Sequence, residues 1–170
     1  AGFIGTNFIR HTLKSRPDWR IVNLDCLTYA GNIKNFENLP EEWQARYVFV
    51  HGSIGDNDVL NTLFRDYRLD GVFHFAAESH VDRSIASPEA FIETNILGTF
   101  RLLDASLKMW EREGRPGFRF LHVSTDEVYG SLGAEGYFTE ETPYDPSSPY
   151  SASKAGSDHL AKAYHRTYGL

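Results

Sequence analysis

Ala1-Gly-Phe-Ile-Gly-Thr-Asn-Phe-Ile-Arg-His-Thr-Leu-Lys-Ser15 opens the chain, and Arg20-Ile-Val-Asn-Leu-Asp25 follows it beyond Pro17. Ile4, Phe8, Ile9 and Leu13 recur at helical spacing, so residues 4–15 are expected to form a helix that Pro17 closes. The short apolar run after it reads as a strand over 20–24, ending at Asp25. Gly2-x-x-Gly5 at a helix start, with an acid closing the next strand twenty residues after Gly5, matches the last two glycines of a dinucleotide fingerprint and its acidic ribose ligand. The first glycine would precede residue 1. The competing reading of Asp25 is a solvated turn residue. As a ligand, its carboxylate would accept from a ribose hydroxyl and repel a 2′-phosphate, and no arginine occurs between residues 21 and 45. That pattern favours NAD over NADP.

The pattern of strand then helix repeats down the chain. Further strands are expected at 47–51, at 71–77 and at 119–124, with the one at 71–77 so apolar that both its faces should be covered. Between them lie a polar, Asn-rich connection over 27–39 with room for a helical turn and a helix from Asp56 to Tyr67, with Val59, Leu60, Leu63, Phe64 and Tyr67 inward. Then come a long helix over 88–112 and a last one over 150–168. Residues 133–149, rich in Gly, Pro, Ser and acids, read as an exposed loop. Alternating strands and helices imply an α/β fold with a doubly wound parallel sheet, in which ligands bind beyond the carboxyl ends of the strands.

Tyr150-Ser-Ala-Ser-Lys154 begins the last helix, behind Ser148 as N-cap and Pro149 at the first helical position. Residues four apart on a helix are neighbours, at roughly 6 Å between β-carbons. The Lys154 ammonium is therefore expected beside the Tyr150 phenol, lowering a pKa ordinarily near 10. A phenolate near neutral pH can take the proton of an alcohol while hydride leaves the same carbon. Taken alone, the pair reads as an exposed Tyr and Lys; its company shifts that reading. The strand at 119–124 ends in Ser124-Thr125-Asp126-Glu127, which offers a second acid and base. Phe75-Ala76-Ala77-Glu78-Ser79 ends another strand with small residues, letting a flat cofactor approach the backbone.

Composition bounds the rest. The chain has 170 residues, 41% apolar and 24% charged, with a net charge of −6. This is a globular composition with no long basic run, which argues against nucleic acid or an anionic membrane surface as partner. Cys26 is the only cysteine, so no intrachain disulfide can form. No apolar run approaches a membrane span and no signal-peptide pattern occurs, so the cytoplasm is the expected compartment. The seven histidines show no metal-ligand spacing; His74 and His122 read as strand residues. The chain starts without a methionine and without a strand ahead of its glycines, so both ends are expected to be cut from something longer.

With these stretches in place, the sequence resembles the extended short-chain dehydrogenase/reductase family and, within it, the dTDP-glucose 4,6-dehydratases. The match is carried by residues 1–5, Asp25-Cys-Leu-Thr-Tyr-Ala-Gly-Asn32, Phe75-Ala-Ala-Glu-Ser-His-Val-Asp-Arg-Ser84, Thr94-Asn-x-x-Gly-Thr99, Ser124-Thr-Asp-Glu-Val-Tyr-Gly130 and Tyr150-Ser-Ala-Ser-Lys154. The resemblance implies a Rossmann-type NAD-binding domain over 1–170, truncated at both ends, without the portion that reads the nucleotide base. It implies a redox-neutral sequence on tightly bound NAD. Tyr150 would take the sugar 4-hydroxyl proton, Glu127 the C5 proton, and Asp126 would protonate the departing 6-hydroxyl, giving a 4-keto-6-deoxy sugar. Thr125 would hydrogen-bond the 4-oxygen and Lys154 the nicotinamide ribose. Gly2, Phe3, Ile4 and Gly5 would meet the pyrophosphate. Asp25, Cys26, Leu27, Thr28, Ser53, Ile54, Phe75, Ala76, Ala77, Ser79 and Thr94 would line the cofactor, with Ser79 also reaching the sugar. Gly52-Ser53-Ile54 stands where the family carries Gly-Asp-Ile; serine still accepts a hydrogen bond there, but is shorter and uncharged.

The substrate so implied is dTDP-glucose, with UDP-glucose as the alternative, and a homodimer built from helices 88–112 and 150–168 follows from the same resemblance. A 4-epimerase is less compatible with the Asp126-Glu127 pair, and a non-catalytic cofactor-binding protein would not need both acids beside Tyr150 and Lys154. No metal is implied. Without a first strand, residues 1–170 by themselves are expected to be inactive.

Overall fold

The structure, a computed structural model, describes residues 1–114 and 117–170. The chain folds as two compact units, Ala1–Ser53 and Ile54–Leu170. In the first unit, α1 (Phe3–Ser15) leads into β1 (Ile21–Asp25), a 3-10 turn (Ile33–Phe36), α2 (Glu41–Gln44) and β2 (Tyr47–His51). The strands pair in parallel, from Ile21 opposite Tyr47 to Asp25 opposite His51. Parallel neighbours require a crossover, and residues 26–46 provide it. Ala1, Ile9, Leu13, Phe36 and Leu39 are the buried cluster, with Phe8, Ile21, Leu27, Trp43 and Tyr47 packed against it. The apolar face of α1 thus starts at Phe8; Ile4 is 64% exposed, contrary to the face read from periodicity, because the first turn extends past this cluster. Arg46 closes the other end of α1: its guanidinium donates to the carbonyl of Leu13 (2.7 Å), one that the helix end leaves without an amide partner, and to those of Arg16 (3.1 Å) and Trp19 (3.0 Å) in the turn that follows.

The second unit contains α3 (Asn57–Asp66), β3 (Gly71–His74), α4 (Val81–Ala86), α5 (Glu89–Phe91), α6 (Thr99–Glu113), β4 (Arg119–His122) and α7 (Pro149–Tyr168). Asp56 caps α3 as expected, accepting from the amides of Asp58 and Val59. The strands again pair in parallel, Gly71 opposite Arg119 through His74 opposite His122. They approach so closely that a β-carbon on Gly71 would lie 2.8 Å from the Arg119 carbonyl oxygen. Both strands are shorter than expected, since the backbone leaves the ladder where the chain turns toward its functional residues. The expectation of two covered faces for β3 is also corrected: His74 is 3% exposed but Phe73 40%, so within this unit one face is covered. Leu60, Leu63, Phe64, Phe91, Leu102, Leu103, Leu107, Met109 and Val128 are buried here.

The expected single helix over 88–112 is not uniform. Between α5 and α6 the chain runs through a π-helical segment, Ile92–Gly98, a form that is rare and concentrates at functional sites. The short helices α2 and α4 were not signalled by periodicity, being only a turn or so long. The 133–149 stretch holds no regular element until α7, as expected.

Candidate active site

Ser148 and Ser151 cap α7 reciprocally. Ser148 Oγ accepts the Ser151 amide at 3.0 Å, and Ser151 Oγ accepts the Ser148 amide at 2.9 Å. With Pro149 at the helix start, this cap places Tyr150 in the first turn. Tyr150 is buried, its ring edge-on to Phe91 at 6.2 Å, and its phenol lies close enough to Thr125 for the threonine hydroxyl to favour its ionised form. Thr125 in turn caps the 3-10 turn Asp126–Tyr129, accepting the Glu127 amide at 3.3 Å. Gly130 ends this turn at φ 87°, where a β-carbon would fall 2.5 Å from the Asp145 carbonyl oxygen, so only glycine fits. The exposed carboxylates of Asp126 and Glu127 therefore belong to the same small region as the phenol.

The expected lowering of the Tyr150 pKa does not occur. Burial raises it, the Thr125 hydrogen bond lowers it in part, and the charges of Glu127, Asp126 and Asp158 raise it further, leaving it above its ordinary value. The Lys154 ammonium instead donates to the Val123 carbonyl at 2.7 Å. Lys154 is buried, and desolvation lowers its pKa despite the favourable charge of Asp158. A carbonyl at the end of β4 competes successfully with the phenol for this cation.

Beneath the pair lies a polar layer that sequence reasoning missed. Asp158, 5% exposed, accepts Ser124 Oγ at 2.5 Å and Tyr144 Oη at 2.9 Å on one oxygen. Its other oxygen is 3.1 Å from His122 Nε2, whose ring is aligned on Ser157 Oγ at 3.0 Å rather than on the carboxylate. Burial raises the Asp158 pKa, but the neighbouring His122 and the hydroxyls of Ser124 and Tyr144 outweigh it and hold it below the carboxylate range. The signal existed: Tyr150, Lys154 and Asp158 recur every fourth residue and form one stripe. Asn95, in the π segment and 1% exposed, is the second omission. Its side chain accepts the Glu78 amide and donates to the Glu78 carbonyl and Ser153 Oγ, each at 2.9 Å. An asparagine on an otherwise apolar helix face was its signal. His74 and His122 are indeed strand residues; His74 Nε2 meets Thr99 Oγ1 at 2.8 Å, and among the described residues no His, Cys, Asp and Glu group could hold a metal.

Other predicted residues distribute as follows. In the first unit Gly2 is the N-cap of α1 and brings no side chain to it, so amides of the first turn remain available to an anion. A β-carbon on Gly5 would meet nothing within 4 Å, and Phe3 and Ile4 are exposed. Ala1 N lies 2.5 Å from Asp25 Oδ2, so the start of α1 adjoins the end of β1. Asp25 Oδ1 accepts the Leu27 amide at 2.8 Å. Leu27 itself has φ 53°, uncommon for a non-glycine, within a tight turn whose neighbours Cys26 and Thr28 are exposed. This donor set fits a dinucleotide. Ser53 is exposed. In the second unit Ile54 is buried, its side chain pressed on Gly98, so only its backbone remains for a ligand. Phe75 and Thr94 are half-buried, and Ala76, Ala77 and Ser79 are exposed beyond β3.

The GDP-mannose 4,6 dehydratase family profile matches residues 1–170. A dTDP-glucose 4,6-dehydratase of Xanthomonas campestris pv. campestris is 55% identical over 173 residues, covering 100% of this chain and 48% of that protein. Among solved structures, DesIV, a dTDP-glucose 4,6-dehydratase from Streptomyces venezuelae with NAD and TYD bound, is 49% identical with a TM-score of 0.88, covering 100% of this chain and 51% of that one. A Thermus thermophilus UDP-glucose 4-epimerase in complex with NAD superimposes almost as well, TM-score 0.85, but at 30% identity, over 100% and 50% of the two chains. Backbone shape is thus shared by both chemistries, and sequence is closer to the dehydratases. The chain spans about half the length of the curated relatives it matches.

Proposed function

Because the chain belongs to the GDP-mannose 4,6 dehydratase family, we propose that it is the cofactor-binding half of an enzyme that converts dTDP-glucose to its 4-keto-6-deoxy product. Its fold is the Rossmann-type α/β fold of the NAD-dependent dehydratases and epimerases. The observation that carries the reading is the Thr125-Asp126-Glu127 turn beside Tyr150, whose hydroxyl and two carboxylates all act on the ionisation of the phenol, and this supports one shared spot for the four groups.

NAD, when bound, would supply a hydride acceptor and donor. Gly2, Phe3, Ile4 and Gly5 would present backbone amides to its phosphates, and Asp25 would accept from a ribose hydroxyl, with Cys26, Leu27, Thr28 and Ser53 nearby in sequence. Lys154, one of whose protons goes to Val123, has further donors for a ribose hydroxyl. On the substrate, Thr125 would hold the 4-oxygen while Tyr150 removes its proton. With the 4-carbon oxidised, the C5 proton becomes acidic; Glu127 would take it, and Asp126 would protonate the leaving 6-oxygen so that water departs. The cytoplasm is the compartment we propose; among the described residues no helix is long and apolar enough to cross a membrane. We also propose a homodimer through α6 and α7. Phe100 on α6 is 42% exposed and supports it, whereas Leu107 on the same helix is buried within its own unit.

The test is incubation of the full-length protein with NAD and either dTDP-glucose or UDP-glucose. A 4-keto product from dTDP-glucose is expected. Product from UDP-glucose alone would move the assignment to the UDP-glucose dehydratases, and a 4-epimer without a 4-keto sugar would overturn it. Sedimentation at micromolar concentration should give a dimer.

A further inference from the structure

Asp158 is buried at the centre of a set of contacts that the proposed chemistry does not use. One oxygen of its carboxylate receives two hydroxyls, one from Ser124 at the start of the segment that carries the acids and one from Tyr144, on the loop that packs against the end of that segment. Ser124 immediately precedes Thr125. Tyr144 packs edge-on against Tyr129, the last residue of the 3-10 turn, with ring centroids 5.3 Å apart and planes at 79°. The Asp145 amide also donates to the Val128 carbonyl at 3.0 Å, so the Tyr144 strand of the loop is fastened to the turn by backbone as well. Lys162 Nζ lies over the Tyr144 ring, 4.9 Å from its centroid.

Asp158 sits on α7, four residues after Lys154 and eight after Tyr150. At 1.5 Å rise per residue it is about 12 Å from Tyr150 along the helix axis, too far to touch the reacting atoms. A helix is rigid over that distance, however, so whatever Asp158 holds is held in fixed relation to Tyr150. Hydrogen bonds to a charged acceptor are the strong ones, and the 2.5 Å contact to Ser124 is of that kind. We infer that Asp158 is a positioning residue: it ties the start of the Thr125-Asp126-Glu127 turn to α7 directly through Ser124, and its end through Tyr144, and so sets the two acids in register with the Tyr150 phenol. The inference rests on the dehydratase reading, in which elimination needs Glu127 and Asp126 placed on a sugar whose 4-oxygen is already at Tyr150. A carboxylate that served folding alone would affect every step alike, whereas this one should matter for elimination above all.

The experiment uses the full-length protein with NAD and dTDP-glucose in single turnover, in heavy water. Ser124→Ala and Asp158→Ala are expected to slow C5 proton exchange about 10- to 100-fold, the scale on which misplacement of about 1 Å acts. Reduced-nicotinamide absorbance should still form within about threefold of the wild-type rate. Asp158→Asn keeps an oxygen that can accept both hydroxyls and should recover most of the exchange rate. Tyr144→Phe, which keeps the ring packing, should show a smaller loss of the same pattern. Independently of chemistry, amide hydrogen exchange over Asp126–Tyr129 should accelerate in Ser124→Ala and Asp158→Ala, with residues 150–154 unchanged. If Asp158→Ala does not fold, Ser124→Ala and Tyr144→Phe carry the test. Equal slowing of both steps, or wild-type C5 exchange in Ser124→Ala, overturns the inference while leaving the dehydratase reading intact. A wild-type protein that makes no 4-keto sugar removes the reading and the inference together.

Discussion

Three carboxylates act on the Tyr150 phenol, and each of them opposes its ionisation. Burial is the larger obstacle, the charges of Glu127, Asp126 and Asp158 add to it, and the Thr125 hydrogen bond recovers only part. In the cofactor-free chain the phenol should therefore titrate above its ordinary value near 10. The check is the alkaline tyrosinate step that disappears in Tyr150→Phe; a step below pH 10 would mean that Lys154 acts on the ring after all. The two acids are separable by substitution. Glu127→Gln should allow nicotinamide reduction yet slow product formation by about 10²–10⁴-fold, the usual cost of losing a general base. Asp126→Asn should spare C5 exchange more than loss of water, and Tyr150→Phe should block even the first step. Wild-type C5 deuterium incorporation in Glu127→Gln would show that another group is the base. The spacing of Tyr150 and Lys154 was readable from the sequence because helix geometry fixes it. The partner that Lys154 takes was not, because Val123 arrives from 31 residues away and its carbonyl carries no sequence signature.

At the scale of elements, the π segment joins parts of the chain that the sheet does not. It lets Asn95 satisfy both backbone groups of Glu78 beyond β3 while also reaching Ser153 on α7, whose own hydroxyl donates to the Tyr150 carbonyl at 2.7 Å. One side chain thereby joins a strand exit to the helix of the phenol. Asn95→Ala would leave buried polar groups unpartnered, at about 1–3 kcal/mol each, so a loss of about 2 kcal/mol or more is expected in urea unfolding. A change below about 0.5 kcal/mol would show that the three contacts do not hold the elements together. Arg46 makes a comparable prediction in the first unit. Its fork reaches three carbonyls, one in the last turn of α1 and two in the turn after it, a geometry that a lysine cannot reproduce, so Arg46→Lys should be nearly as damaging as Arg46→Ala. Helix starts were legible wherever a cap marked them, as at Asp56 and Ser148. Strand ends were not: apolar residues continue through Ala77 and Val123 after the ladders stop, because those stretches serve the site and not the sheet.

Across the whole molecule, alternating strand and helix patterns were enough to give the α/β class, whereas the polar layer that now appears is assembled from distant segments. Its groups, His74, His122, Lys154 and Asp158, all lie in the second unit, and the settings of His74 and Asp158 make that unit sensitive to acid. The His74 pKa falls to about 3, first through burial and then through the charges of His122 and Lys154. The unfolded chain would bind a proton at His74 below its ordinary pKa near 6.5, while the folded chain would stay neutral. Between those values the unfolded state holds about one proton more, so stability falls with falling pH by up to about 1.4 kcal/mol per unit and is flat above 6.5 from this cause. Asp158 adds to the loss only lower down: its folded pKa is depressed, so its contribution is present above the ordinary carboxylate value near 3.9 and disappears as pH falls through the folded one. The window from pH 6.5 to 4.5 therefore isolates His74 from Asp158. Trp110 lies in the second unit and Trp19 and Trp43 in the first, so a Trp19→Phe, Trp43→Phe background lets fluorescence follow urea unfolding of the second unit alone. Unfolding midpoints should decline across this window, and His74→Asn should flatten the decline whatever its starting stability. An unchanged slope in His74→Asn would mean that a different group takes up the proton.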